Sequence, residues 1–320
     1  MPDRSLRTEV MGGECDIVVP VYRGLHYVRD LVRSIRRNTD VPYRLFVVDD
    51  SVDECMHRAL SELLAGDDRA ELHRNEQNLG FVLSSNRGLE LGSAEFVCLM
   101  NSDTIVSRGW LSKLIRCARS DPRIAVVNPL GNRASELAAP LGPGLNLNTM
   151  AAAVERCSRR RYPDVTTGNG FCMLMRRSVL ESLGAFDEAY KLGYCEESDM
   201  CMRFTEAGLR VVVCEDAYVY HKGQGSFGAR WRELFEANRK IFDSRWRPAY
   251  ERDYARFKKR NPLQYVRDAV LRHTIRADEW SMASAMIVEC DARQRAAGKS
   301  AKLNDGRRLA ARAAWLNRRP

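Results

Sequence analysis

Three apolar segments in the first hundred residues each end on a polar cluster, and they constrain the fold more than any other feature of the chain. CDIVVPVYR (15–23), RLFVVDDS (44–51) and EFVCLMNSD (95–103) are rich in β-branched and apolar residues and too short for helices. After the first, residues 24–38 place Val28, Leu31, Val32 and Ile35 at helical spacing. Residues 52–66 read as a second helix, LHRN (72–75) as a short strand, and QNLGFVLSSNRGLELG (77–92) as a glycine-containing loop leading into a helix. This alternation predicts βαβ units and an α/β fold with a mostly parallel sheet flanked by helices. Ligands of such sheets lie beyond the carboxyl ends of the strands. Pro20-Val21-Tyr22, Asp49-Asp50-Ser51 and Asn101-Ser102-Asp103 are therefore expected on one rim.

Downstream, the pattern gives a helix at WLSKLIRCAR, a strand at IAVVNPL and a long loop rich in Gly, Pro and Asn. VTTGNGFCMLMRR reads as a strand behind a glycine turn, SDMCMRFTEAG as a helix with an acidic start, and AYVYH as a strand end. From about Ala229 the pattern is helical and Arg-rich. With 320 residues and 45% hydrophobic content, the chain supports one large domain or a domain with an appendage. The expected division is a tail over 1–14, a main domain over 15–230 and a helical basic region over 231–320. The longest apolar runs are too short to cross a bilayer, and MPDRSLRTEVMGGECD lacks the apolar stretch of a secretory signal. The ten cysteines include no CxxC pair, which predicts reduced thiols and a cytoplasmic location.

The formal net charge is +9, and between 291 and 320 nine Lys or Arg stand against two acids. Such a tail predicts an anionic partner. Leu309, Ala313, Trp315 and Leu316 make it partly amphipathic, which suits either a solvated helix packed on the main domain or a peripheral contact with the inner membrane face.

Four clusters carry candidate chemistry. Asn101 and Asp103 offer two oxygen donors to a hard divalent cation, although Asn-Ser-Asp is also good turn chemistry. Asp49 and Asp50 end a strand, where a carboxylate can accept from a ribose or base hydroxyl, while Ser51 or Asp53 can equally cap the next helix. Glu196, Glu197 and Asp199 open a helix; they complement its dipole, and their mutual repulsion would raise the pKa of one of them toward that of a general base. His221 follows a strand, where a histidine is either structural or a ligand, and Gly223 and Gly225 would let the next loop close over a bound molecule. The first strand lacks the glycine fingerprint of a dinucleotide fold, which speaks against a nicotinamide enzyme.

Taken in order, IVVPVYR, FVVDDS, NLGFVLSSNRGL, CLMNSDT, TTGNGFCMLMRRSVL, GAFDEAY, GYCEESDMCMR and AYVYHKGQGSF resemble the family 2 glycosyltransferases of the GT-A fold, over about residues 15–230. The set is similar to bacterial enzymes that build O-antigen-like and other surface polysaccharides. The resemblance implies a nucleotide-diphosphate-sugar donor, a saccharide or lipid-linked saccharide acceptor, Mn2+ or Mg2+ as cofactor, inversion at the anomeric carbon, and no nucleic acid partner. It also implies that Pro20, Tyr22, Asp49 and Asp50 line the nucleoside pocket, with Asn78, Gly80, Asn86 and Ser102 shaping the donor site. Asp103 and Asn101 match the family's DxD, and His221 a histidine that completes the metal site in some members. Glu197 aligns with the base, flanked by Glu196 and Asp199. Two positions depart from the pattern: Asn101 is neutral where the first Asp stands, and the base is Glu where many relatives have Asp. Either Glu196 or Glu197 can face the acceptor.

Three rival readings are a sugar nucleotidyltransferase, a phosphatase using Asp103 as nucleophile, and a silent nucleotide-sugar-binding protein. VPVYRGLHYV is not the glycine-rich basic loop the first would need, and Ile105 stands where the second would want another Asp.

Overall fold

The apolar segments form strands as expected in the computed structural model, which describes residues 14–141, 145–223 and 231–274. In chain order the first half runs β1 (Cys15–Val21), α1 (Leu25–Asn38), β2 (Tyr43–Asp49), α2 (Glu54–Leu64), β3 (Ala70–Arg74), α3 (Gly80–Leu89), β4 (Phe96–Met100), β5 (Thr104–Val106) and α4 (Trp110–Arg119). The second half runs β6 (Ile124–Gly131), α5 (Leu147–Cys157), β7 (Cys172–Arg176), α6 (Arg177–Leu183), α7 (Glu196–Glu206), β8 (Arg210–His221), α8 (Trp231–Arg260) and α9 (Gln264–Thr274).

The strands make one sheet in the order β3-β2-β1-β4-β7-β6-β8-β5. β3, β2, β1 and β4 run parallel, as does β8 beside β6; β7 lies antiparallel between β4 and β6, and β5 antiparallel on β8. Residues Phe96 through Met100 of β4 are fully buried, as a strand covered on both faces must be. One cover is α1, whose Val28, Leu31, Val32 and Ile35 form the stripe read from their spacing. Another is α3, whose Gly88 lets its backbone settle against Val18 and Val48. Phe242 of α8 and Leu263, Val266 and Val270 around α9 are buried in the same core.

The structure adds elements the sequence pattern did not suggest. α5 occupies part of the expected long loop, started by a capping box in which Asn146 and Thr149 bond reciprocally. β5 is three residues long, too short to show a period. Residues 1–13, the loop stretch Gln224–Phe227, Cys290 and the basic tail with Leu309, Ala313, Trp315 and Leu316 lie outside the described residues. Among the described residues, no helix is long and apolar enough to cross a membrane, and nine cysteines are free.

Candidate active site

The sheet gathers its functional ends at one edge. Val21, Asp49 and Met100 are the carboxyl ends of parallel strands; Cys172 starts β7 beside Met100, and His221 ends β8 opposite Thr104. α7 precedes β8 and returns through a short turn, so its amino end lies on the same side.

Asp103 sits in the turn between β4 and β5, a turn closed by the Thr104 hydroxyl donating to the Asn101 carbonyl at 2.8 Å. The cation-ligand and turn readings of Asn101-Ser102-Asp103 are thus compatible. Asp103 Oδ1 is 3.3 Å from His221 Nε2, both side chains being mostly buried. The Gly223 amide donates to Asp103 Oδ2 at 3.0 Å. Burial would raise the Asp103 carboxyl, but the imidazole and the Gly223 amide together hold it below the usual carboxylate range.

His221 is held from three sides. Its Nδ1 lies 3.0 Å from the Arg133 carbonyl, its amide donates to Asn132 Oδ1, and its ring stacks on Phe171 at 5.4 Å. A carbonyl can only accept, so Nδ1 carries a proton and Nε2 is the ring nitrogen that meets Asp103. Nε2 and a carboxylate oxygen this close could turn to a shared cation, and a carbonyl fixing the far nitrogen is the usual support of a metal-binding histidine. Among the described residues no three His, Cys, Asp or Glu side chains form a complete cage. Asp103 and His221 could hold a cation only together with ligands from outside the chain.

The strand-end carboxylates have internal partners. Asp49 accepts from the Ser51 amide and hydroxyl at 3.0 and 2.6 Å and lies 3.0 Å from His57 Nδ1. Asp50 accepts from Asn75 and the Leu79 amide on Oδ1, and from Asn78 and the Gly80 amide on Oδ2. Its four acceptor positions are filled, and it caps α3 in place of a local side chain. Asn86 joins α3 to the next region by donating to the Phe186 carbonyl and accepting from its amide. These residues shape the rim through the backbone they hold. Pro20 is part of β1, and the Tyr22 ring lies under the Arg23 guanidinium at 4.7 Å, its hydroxyl accepting from that residue.

Glu196 and Glu197 open α7 after a strained turn in which Gly193, Tyr194 and Cys195 all have positive φ, at 119°, 75° and 72°. Two non-glycine residues in succession in that region store strain that surrounding contacts must overcome. Glu196 is 4% exposed, and each glutamate keeps a buried Oε2 with no hydrogen-bond partner among the described residues. Burial raises both carboxyls. The charge of Glu197 pushes Glu196 further up.

Asp199 is placed differently from the other two acids. It is fully buried and accepts from Tyr190, Arg245 and Trp246 on Oδ1 and from Arg203 on Oδ2. Arg203 also reaches the carbonyls of Leu183, Gly184 and Ala185. Asp199 is thus a junction between α7, α6 and α8, and two of its four donors, Arg245 and Trp246, are too distant in sequence to be foreseen. Asp103 and His221 touch, and the glutamates stand at the same edge on a separate element.

The family model described as "Glycosyl transferase family 2" matches residues 16–184. A pre-mycofactocin glycosyltransferase of Mycobacterium tuberculosis is 28% identical over 211 residues, covering 64% of this chain and 42% of that protein. The chain thus spans less than half the length of that relative. A glucosyl-dolichyl phosphate glucuronosyltransferase of Haloferax volcanii is 25% identical over 202 residues, covering 60% and 63%. Among solved structures, a mannosyltransferase of Pyrobaculum calidifontis in complex with GDP-Man and Mn2+ has a TM-score of 0.59 at 15% identity, covering 96% of this chain and 88% of that one. That likeness is one of fold, and it agrees with the GT-A architecture expected from the motifs.

Proposed function

The chain belongs to glycosyl transferase family 2, and on that premise we propose that it moves a sugar from a nucleotide-diphosphate sugar to a hydroxyl acceptor in a single inverting displacement. The observation that carries this reading is the glutamate pair, Glu196 buried and Glu197 half-buried, at the edge where Asp103 and His221 meet. Asp103 and His221 would hold Mn2+ or Mg2+, with Asn101 beside them. When bound, the cation supplies positive charge against the negative charge that builds on the leaving diphosphate.

Glu196, the more strongly raised acid, keeps the proton the pair shares. Glu197 stays ionised and takes the proton of the acceptor hydroxyl at a carboxylate oxygen as that hydroxyl attacks the anomeric carbon. Asp50 holds the Asn78–Gly80 turn, and with Pro20, Tyr22, Asp49 and Ser102 it bounds the nucleoside side of the cleft. Asn86 ties that side to the loop leading to the glutamates. Asp199 takes a supporting part.

The named relatives and the GDP-Man and Mn2+ of the mannosyltransferase structure support this donor and cation class. We propose a saccharide or lipid-linked saccharide acceptor in surface polysaccharide or glycoconjugate synthesis, and an enzyme working in the cytoplasm or at the inner membrane face. A thermal-shift panel of UDP- and GDP-sugars, run with Mn2+ and with chelator, tests the reading. The selected donor should stabilise the wild type only with Mn2+, Asp103→Ala should lose that shift, and Glu197→Gln should keep it while losing donor turnover. Turnover by Glu197→Gln near the wild-type rate would remove the base.

A further inference from the structure

The glutamate pair is gripped from outside its own helix. Asn238 on α8 is 7% exposed, and its amide nitrogen donates to the Tyr190 carbonyl at 2.8 Å and to the Gly193 carbonyl at 2.6 Å. Those carbonyls flank the start of the strained turn. About two helical turns further along α8, Arg245 and Trp246 donate to Asp199 at 3.1 and 2.8 Å. α8 therefore holds the chain on both sides of Glu196 and Glu197. Left alone, three successive positive-φ residues would relax, because Tyr194 and Cys195 carry side chains that disfavour that region.

We propose that Asn238 is a positioning residue for the transfer: by fixing the Tyr190 and Gly193 carbonyls it holds the turn in its strained form and so sets where Glu197 meets the acceptor. The inference rests on the base assignment above. An isolated hydrogen-bonded asparagine in a helix needs no such role, but two short bonds to one turn, directly before the glutamate pair, place this one where displacement moves the reacting group. A misplacement of about 1 Å costs a base on the order of a hundredfold in rate.

Around the pair, the titratable and charged groups are Tyr194 and Cys195 on the turn, Asp199 and Cys201 on α7, and Arg239 and Asp243 on α8, the last two paired at 2.6 Å. A relaxed turn would admit water to the glutamates, and the limb of the pH–rate profile they govern would move toward the ordinary carboxylate range.

The test uses full-length protein and hydrolysis of the nucleotide sugar selected from UDP-glucose, UDP-GlcNAc and GDP-mannose with Mn2+. Asn238→Asp keeps the shape of the side chain and removes both donors; Asn238→Ala removes the contact altogether. Both should lower kcat by about a hundredfold with donor KM within about twofold, shift the limb to lower pH, and speed amide exchange over 190–195. A lower Tm with kcat and the limb unchanged would reduce Asn238 to a stability residue and overturn the proposal. Glu197→Gln, run in parallel, separates the two ideas: if it hydrolyses donor normally, the base assignment fails. If it is inactive while both Asn238 variants match wild type, only the positioning role fails.

Discussion

Glu196 and Glu197 show what single residues reveal and conceal. Their adjacency and the crowding of acids were readable in EESD, as was the expectation of a raised carboxyl. Which of the two keeps the proton was not readable, because burial and the unpartnered Oε2 atoms come from the packed turn and α8. The folded-state pKa of Glu196 lies above its unfolded value. The stability tied to its proton is therefore complete below about pH 4 and is lost as pH rises through the folded value. Glu196→Gln cannot ionise, so its Tm should exceed that of the wild type by a margin that grows from pH 5 to pH 8. A margin constant across that range would mean that Glu196 carries no unusual proton. Asp50 and Asp199 teach the converse. Each looked like a site acid, and each spends its lone pairs on protein donors, most of Asp199's and all of Asp50's lying outside the element the acid stands on.

At the scale of elements, strands were legible because burial on both faces writes a continuous apolar run, and α1 because its stripe has the helical period. The start of α3 was legible only as a glycine loop. Its first amides are capped by Asp50, some thirty positions upstream, so no Ser, Thr, Asp or Asn at the helix start announces the cap. Gly80 has φ of 80°, and a Cβ there would lie 2.6 Å from Leu192 Cδ2, on the segment before the strained turn. Gly80→Ala should therefore cost about 1–2 kcal/mol in urea unfolding, with Leu192 pushed away from α3. Unfolding within a few tenths of a kcal/mol of wild type would show that the turn relaxes freely. α5 escaped notice because its face is short and alanine-rich, and β5 because three residues carry no pattern.

For the whole molecule, the α/β class and the rim followed from the alternation of strands and helices, and the pairing of His221 with Asp103 only from the family resemblance, whereas the part played by α8 followed from neither, since its amphipathic pattern is weak and its key contacts are polar. We propose that residues 15–230 hold the transfer chemistry and that α8 and α9 complete its core. The charge beyond residue 290 lies outside the described structure, and its proposed role is a contact with anionic lipid. The full chain should bind phosphatidylglycerol vesicles more tightly than a chain ending at 290, with the difference shrinking between 0.05 and about 0.5 M NaCl as screening shortens. Equal binding at low salt would assign the tail elsewhere. Thr104 faces His221 across an antiparallel ladder, so the gap between Asp103 and His221 is a matter of strand registration. Whatever is spliced into the polypeptide between those two rungs can lengthen, shorten or diverge, and the two side chains will still arrive face to face.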